Sequence, residues 1–148
     1  MKQIDEILDF AIKKEEEASD FYLDMAQKAE HAEMKKVFEN FAKEEQGHKK
    51  KLEAIQRGEH IFYETKEIMD LKISSYVVDI EPSPDMDYQS ILIMAMKKEK
   101  AAFRFYTDLA RSTDNVELSK IFYSLAQEEA KHKLRFEIEY DDVYMKEN

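Results

Sequence analysis

Apolar residues in this chain come singly or in short runs within heavily charged stretches, and no apolar run approaches the ~18 residues of a membrane span. Turn formers are scarce, with only two glycines and two prolines in 148 residues. Glycine and proline end helices and build tight turns, so this pattern predicts a few long helices rather than a strand-rich fold. A first helix is expected over about residues 4–29 and a second over about 31–57, ending before Gly58. A third starts after Asp87, behind the stop signal Pro82-Ser83-Pro84-Asp85, and ends near Arg111. Asp114 followed by Glu117 reads as a capping box opening a fourth helix that extends as far as Tyr144. Phe21, Phe38, Phe41, Phe105, Phe122 and Leu125 are packing residues in this scheme, and Met94 and Met96 are core or rim residues.

The chain repeats itself at an offset of 84 positions. AIKKEEEASDFYLDMA, Ala11 to Ala26, aligns without gaps on AMKKEKAAFRFYTDLA, Ala95 to Ala110, with nine of 16 positions identical. VFENFAKEEQGH, Val37 to His48, aligns at the same offset on IFYSLAQEEAKH, Ile121 to His132, with five of 12 identical. Two blocks sharing one offset argue for two related helical hairpins, about 4–57 and 89–144, within one domain covering 1–148. The intervening segment, 58–88, is long enough to run lengthwise past helices of roughly 37 Å. Its IFY, IMDL and SYVVDI runs should partly bury themselves, and a short helix around 64–72 fits there. Two short-looped hairpins joined by one long crossover is the ferritin-like form of the all-α four-helix bundle.

The repeat also carries the candidate chemistry. Glu45 and His48 are three residues apart, as are Glu129 and His132, so each pair falls on one helical face. Glu15 and Glu99 add one carboxylate from each preceding helix. A Glu from two helices and Glu-x-x-His from the other two is the ligand inventory of a carboxylate-bridged dimetal bundle, and four carboxylates balance two divalent cations. Glu15 is selected over Glu16 and Glu17 by the repeat, which aligns it with Glu99 and aligns its neighbours with Lys100 and Ala101. Glu45 rather than Glu44 stands one turn before His48, although Glu44 and Glu128 are duplicated too. Tyr22 and Tyr106 follow the single glutamates by two helical turns, where their hydroxyls can hydrogen-bond a metal-bound carboxylate. His31 and His60 have no repeat counterpart and read as surface residues.

Composition narrows the function classes. A formal charge of -10 disfavours a nucleic-acid partner, which requires clustered Lys and Arg. No cysteine is present, which excludes disulfides, thiolate catalysis and Cys-ligated iron within the chain. The start, Met1 to Glu6, is not followed by an apolar signal core, so a cytoplasmic protein with no membrane partner is the expectation.

The E-x6-Y elements at Glu15/Tyr22 and Glu99/Tyr106, with the E-x2-H elements at Glu45/His48 and Glu129/His132, resemble the rubrerythrin-like branch of the ferritin-like di-iron carboxylate superfamily. The resemblance implies two Fe ions on Glu15, Glu45, His48, Glu99, Glu129 and His132, with Mn or Zn as substitutes and the two tyrosines in support. It implies a di-iron oxidoreductase reducing hydrogen peroxide, or dioxygen, with an external electron donor such as a rubredoxin-like protein. A ferroxidase or iron-handling protein is the alternative, and a metal-free structural bundle a more distant one. A homodimer is the assembly that the resemblance suggests. The sequence departs from the family pattern in two ways. The Cys-ligated rubredoxin-like portion of many rubrerythrins is missing from it, and Ala102 stands where an additional carboxylate is usual.

Overall fold

The computed structural model describes residues 2–58, 76–78 and 86–145. Its elements are α1 (Lys2–Lys28), α2 (Ala32–Gln56), α3 (Tyr88–Ser112) and α4 (Val116–Tyr140), the last running into a π-helical turn over Asp141–Met145. With four long helices and no strand among the described residues, the chain is an all-α, ferritin-like four-helix bundle. None of these helices is long and apolar enough to cross a membrane. The chain divides into two compact units, each built around one helical hairpin: α1 with α2, and α3 with α4.

In the first hairpin, the buried positions Leu8, Ala11, Glu15, Ser19, Tyr22 and Ala26 form a stripe along α1 at intervals of three and four. Met34, Phe38, Ala42, Glu45, His48, Leu52 and Ile55 form the matching stripe on α2. The candidate site residues therefore occupy core positions in an otherwise apolar seam. Polar ties run along its flank: Lys49 Nζ donates to Glu16 Oε2 at 2.6 Å, and Gln56 Nε2 to Asp9 Oδ1 at 2.6 Å.

The turn between α1 and α2 carries little sequence signal because its cap is a histidine. His31 is exposed, as expected, and its Nδ1 accepts from the Met34 amide at 3.4 Å while its carbonyl accepts from Lys35. Ser, Thr, Asp and Asn are the usual caps, so His31 does not announce the start of α2. The end of α2 is better marked. Gly58 takes φ +76°, which a side chain would strain, and its amide reaches the Ile55 carbonyl at 3.0 Å.

The second hairpin repeats the scheme. Ile91, Leu92, Ala95, Glu99, Tyr106, Leu109 and Ala110 face inward from α3. Leu118, Phe122, Leu125, Glu129, His132, Phe136 and Glu139 do so from α4. Of the methionines expected in core or rim, Met94 is buried and Met96 half-buried. The fourth helix is capped one residue later than the sequence suggests. Asn115, not Asp114, accepts from the Leu118 amide at 2.9 Å. Asn and Asp cap about equally well, so residue type alone could not choose between adjacent candidates.

Within the crossover, Tyr76 is buried and donates to Asp108 Oδ2 at 2.7 Å. The IFY and IMDL runs, the short helix expected at 64–72 and His60 lie outside the described residues.

Asp87 caps α3, its Oδ1 accepting from the Ser90 amide at 2.8 Å. That backbone hydrogen bond holds the carboxyl below its ordinary value of 3.8. A carboxyl lowered on folding contributes stability above its unfolded pKa and loses it as pH falls through the folded one. Asp87→Ala should therefore lower the melting temperature at neutral pH, with the gap to the parent protein closing in acid. A gap that stayed constant down to acidic pH would show that the cap contributes through something other than its charge.

Candidate metal centre

The first-hairpin triad is assembled by two helices facing each other across their buried seam. Glu15 comes from α1, and Glu45 and His48 from successive turns of α2. All three side chains are buried, with exposures of 2, 0 and 5 %. His48 Nδ1 lies 2.9 Å from Glu15 Oε2 and 3.2 Å from Glu45 Oε1. One ring nitrogen thus points at two carboxylates from different helices.

The second hairpin builds the same figure more loosely. His132 Nδ1 lies 3.5 Å from Glu99 Oε2 and 3.6 Å from Glu129 Oε1, and all three residues are 1 % exposed. Within each triad, one donor atom per residue falls within 4.8 Å of the other two.

These triads fit a cation better than they fit each other. One nitrogen can offer a single proton, and two buried carboxylates compete for it in each hairpin. Burying a carboxylate is costly unless positive charge or hydrogen bonds compensate it. Neither oxygen of Glu45 accepts a hydrogen bond; the residue is held instead by its ion-pair contact with His48. A first-row ion with donor bonds near ~2.1 Å separates neighbouring donors by roughly 3.0 Å in octahedral and roughly 3.4 Å in tetrahedral geometry. The observed spacings of 2.9, 3.2, 3.5 and 3.6 Å bracket those values. Two carboxylates per imidazole also balance one divalent charge in each hairpin, and the oxygen–nitrogen set suits iron, manganese or zinc.

The neighbouring glutamates go elsewhere. Glu16 is half-exposed at the rim, where the Lys49 ammonium, and then the Gln46 amide, hold its carboxyl below the ordinary range. Glu17 is exposed and pairs with Lys14 at 3.1 Å. Glu44 is exposed and Glu128 half-buried, in contrast to the buried Glu45 and Glu129. The repeat and the helical spacing thus pointed to the carboxylates that the fold buries.

Tyr22 and Tyr106 are buried on the same stripes as Glu15 and Glu99. The Tyr22 ring packs against Phe21, Phe38 and Phe41 at 5.5, 6.3 and 6.2 Å, and the Tyr106 ring against Phe105 at 5.2 Å. These aromatic contacts extend the buried stripes that carry the glutamates.

A family model for rubrerythrin matches residues 6–137, nearly the whole length of the four helices. The chain belongs to the rubrerythrin family. No curated protein and no solved structure matches it. Two buried Glu–Glu–His clusters in a rubrerythrin-family chain form a carboxylate motif of the di-iron type, consistent with redox chemistry of the rubrerythrin kind. The Cys-ligated iron of many rubrerythrins has no counterpart in the 148 residues, which contain no cysteine. Ala102, one turn after Glu99 and half-buried, offers no donor where an additional carboxylate is usual in the family.

One buried acid escaped the sequence reading. Glu139 is 3 % exposed and accepts from the Tyr88 hydroxyl at 3.0 Å. It continues the α4 stripe of Glu129, His132 and Phe136, and that spacing was the available signal. The repeat offered no help, because its counterpart is Ile55.

Proposed function

We propose that Glu15, Glu45, His48, Glu99, Glu129 and His132 hold two iron ions, and that the protein uses them to reduce hydrogen peroxide. The observation that carries this reading is the pair of buried triads, each with an imidazole Nδ1 turned toward two carboxylates. Held there, two ferrous ions would supply the electrons for H2O2 + 2 H+ + 2 e− → 2 H2O. The protein's part is to hold, orient and insulate. Each imidazole that binds through Nδ1 keeps its ring proton on Nε2. Each glutamate has two oxygens, so it can bind through one or through both as the charge it faces changes. Tyr22 and Tyr106 orient the carboxylates two turns away, and the phenylalanines around them keep bulk water out. Electrons come from an external donor, for which a rubredoxin-like protein is the family precedent, and the chain acts as a homodimer by the same precedent.

The test is anaerobic loading with ferrous iron, metal analysis, and then addition of either peroxide or air. Two irons per chain and faster oxidation by peroxide are the expected results. Oxidation by air as fast as by peroxide would remove the peroxidase assignment and favour ferroxidase or iron-handling chemistry. Sizing of the loaded protein should show a dimer, whereas a shell-sized particle would point to storage.

A further inference from the structure

Hairpin two carries an aromatic chain that hairpin one does not share in full. Tyr76 packs edge-on against Phe105, centroids 5.2 Å apart at 74°, and Phe105 packs against Tyr106 at 5.2 Å and 62°. Tyr106 stands two turns beyond Glu99 on the same helix, roughly 10 Å along its axis. The three rings thus form a stepped path of ~5 Å intervals from the crossover, where Tyr76 is 9 % exposed, along the helix that carries Glu99. In hairpin one, Phe21 and Tyr22 are paired in the same way at 5.5 Å and Asp24 matches Asp108, but Asp20 stands at the position of Arg104.

The polar groups around Tyr76 are those that a redox-active phenol needs. Its hydroxyl donates to Asp108 Oδ2 at 2.7 Å, a short charge-assisted hydrogen bond. Oxidising a phenol by one electron makes its proton strongly acidic, and this carboxylate is in place to take it. The Arg104 guanidinium lies over the ring, 4.9 Å from its centroid. A cation there disfavours positive charge on the ring, so the electron leaves together with the proton and the neutral phenoxyl results.

We propose that Tyr76 is the electron-entry residue of this protein, cycling between phenol and neutral phenoxyl with Asp108 as its proton holder. The proposal rests on the peroxide-reducing reading above. Each cycle passes one electron inward along Phe105 and Tyr106 and one proton to Asp108. The external donor returns one electron, Asp108 returns the proton, and the phenol is restored. Peroxide is the terminal oxidant, and two cycles supply the two electrons that one H2O2 consumes.

The experiment uses the full-length, iron-loaded protein, treated anaerobically with excess hydrogen peroxide and no reductant, then frozen for EPR. A narrow organic-radical line is expected, narrowing further when the tyrosines carry ring deuterium. Tyr76→Phe keeps the ring and its packing but removes the oxidisable hydroxyl, so the line should vanish with iron content and helicity unchanged. Asp108→Asn should reduce the radical yield roughly tenfold, on the scale of one charge-assisted hydrogen bond. If Tyr76 merely anchors the crossover on α3, Tyr76→Phe will leave the radical signal intact, and that result overturns the proposal. Iron oxidation by peroxide with no organic radical overturns it as well. Failure of peroxide to oxidise bound iron at all would bring down the parent reading and this one together.

Discussion

Glu45→Leu should make the metal-free protein more stable and deprive it of the stability that metal confers. In the first hairpin two buried carboxylates share one imidazole nitrogen, at 2.9 and 3.2 Å. Leucine in place of Glu45, which is 0 % exposed, removes one buried charge and leaves the closer His48–Glu15 pair intact. His48 keeps its closer partner, Glu15, which limits the usual penalty for breaking a buried pair. Replacing buried ionic groups with apolar ones of similar volume is often neutral or stabilises by ~1–4 kcal/mol. The metal-loaded protein should move the other way. A ligand at 100 times its Kd stabilises by about 2.7 kcal/mol, and a triad that loses one of three donors forfeits most of that. Melting curves of parent and variant, each with chelator and with ferrous or zinc ion, read both signs at once. A metal-free variant less stable than its parent would mean that Glu45 is a structural residue, and the metal reading would lose its main support.

Phe38→Ala should have the largest effect on the fold itself. Phe38 is fully buried, and its ring stacks on Tyr22 at 6.3 Å with 28° between the planes. Truncating a buried phenylalanine costs ~3–5 kcal/mol, a large share of the ~5–15 kcal/mol that holds a domain together. For a chain of this size the melting temperature should drop on the order of 10 °C. The cavity would open beside Tyr22, two turns from Glu15, so iron should also exchange faster. Phe38→Leu, which refills most of the space, should recover the larger part of both losses. An alanine variant that melted within 2–3 °C of the parent, by the same scale, would show that the seam collapses around the gap.

What could be read from the sequence depended on how local the signal was. Gly58, Asp87 and the rarity of other breakers placed the helices, because each acts on the backbone within a residue or two. Glu15 could be separated from Glu16 and Glu17 because the chain carries its own comparison at Glu99. The fold follows that choice, burying Glu15 while Glu16 meets Lys49 at the rim. The same comparison was silent wherever the halves differ. Tyr88 and Glu139 correspond to Ile4 and Ile55, so nothing flagged the hydrogen-bonded pair. Tyr76 meets Asp108 and Phe105 from outside the repeat, a contact that only three-dimensional packing reveals. His31 and Asn115 were missed for a smaller reason: one is an unusual cap, and the other sits beside an equally good one.

Each triad closes within a single hairpin, and that has a consequence for how the protein is made. Chains fold from the amino terminus as they leave the ribosome. Glu15, Glu45 and His48 are all in place on the nascent chain before Glu99 has been translated. An ion held by these three donors would favour the folded α1–α2 hairpin over the open chain while the rest is still being added. The order of synthesis would then favour the N-terminal triad, whose three donors are made before any of the second triad's.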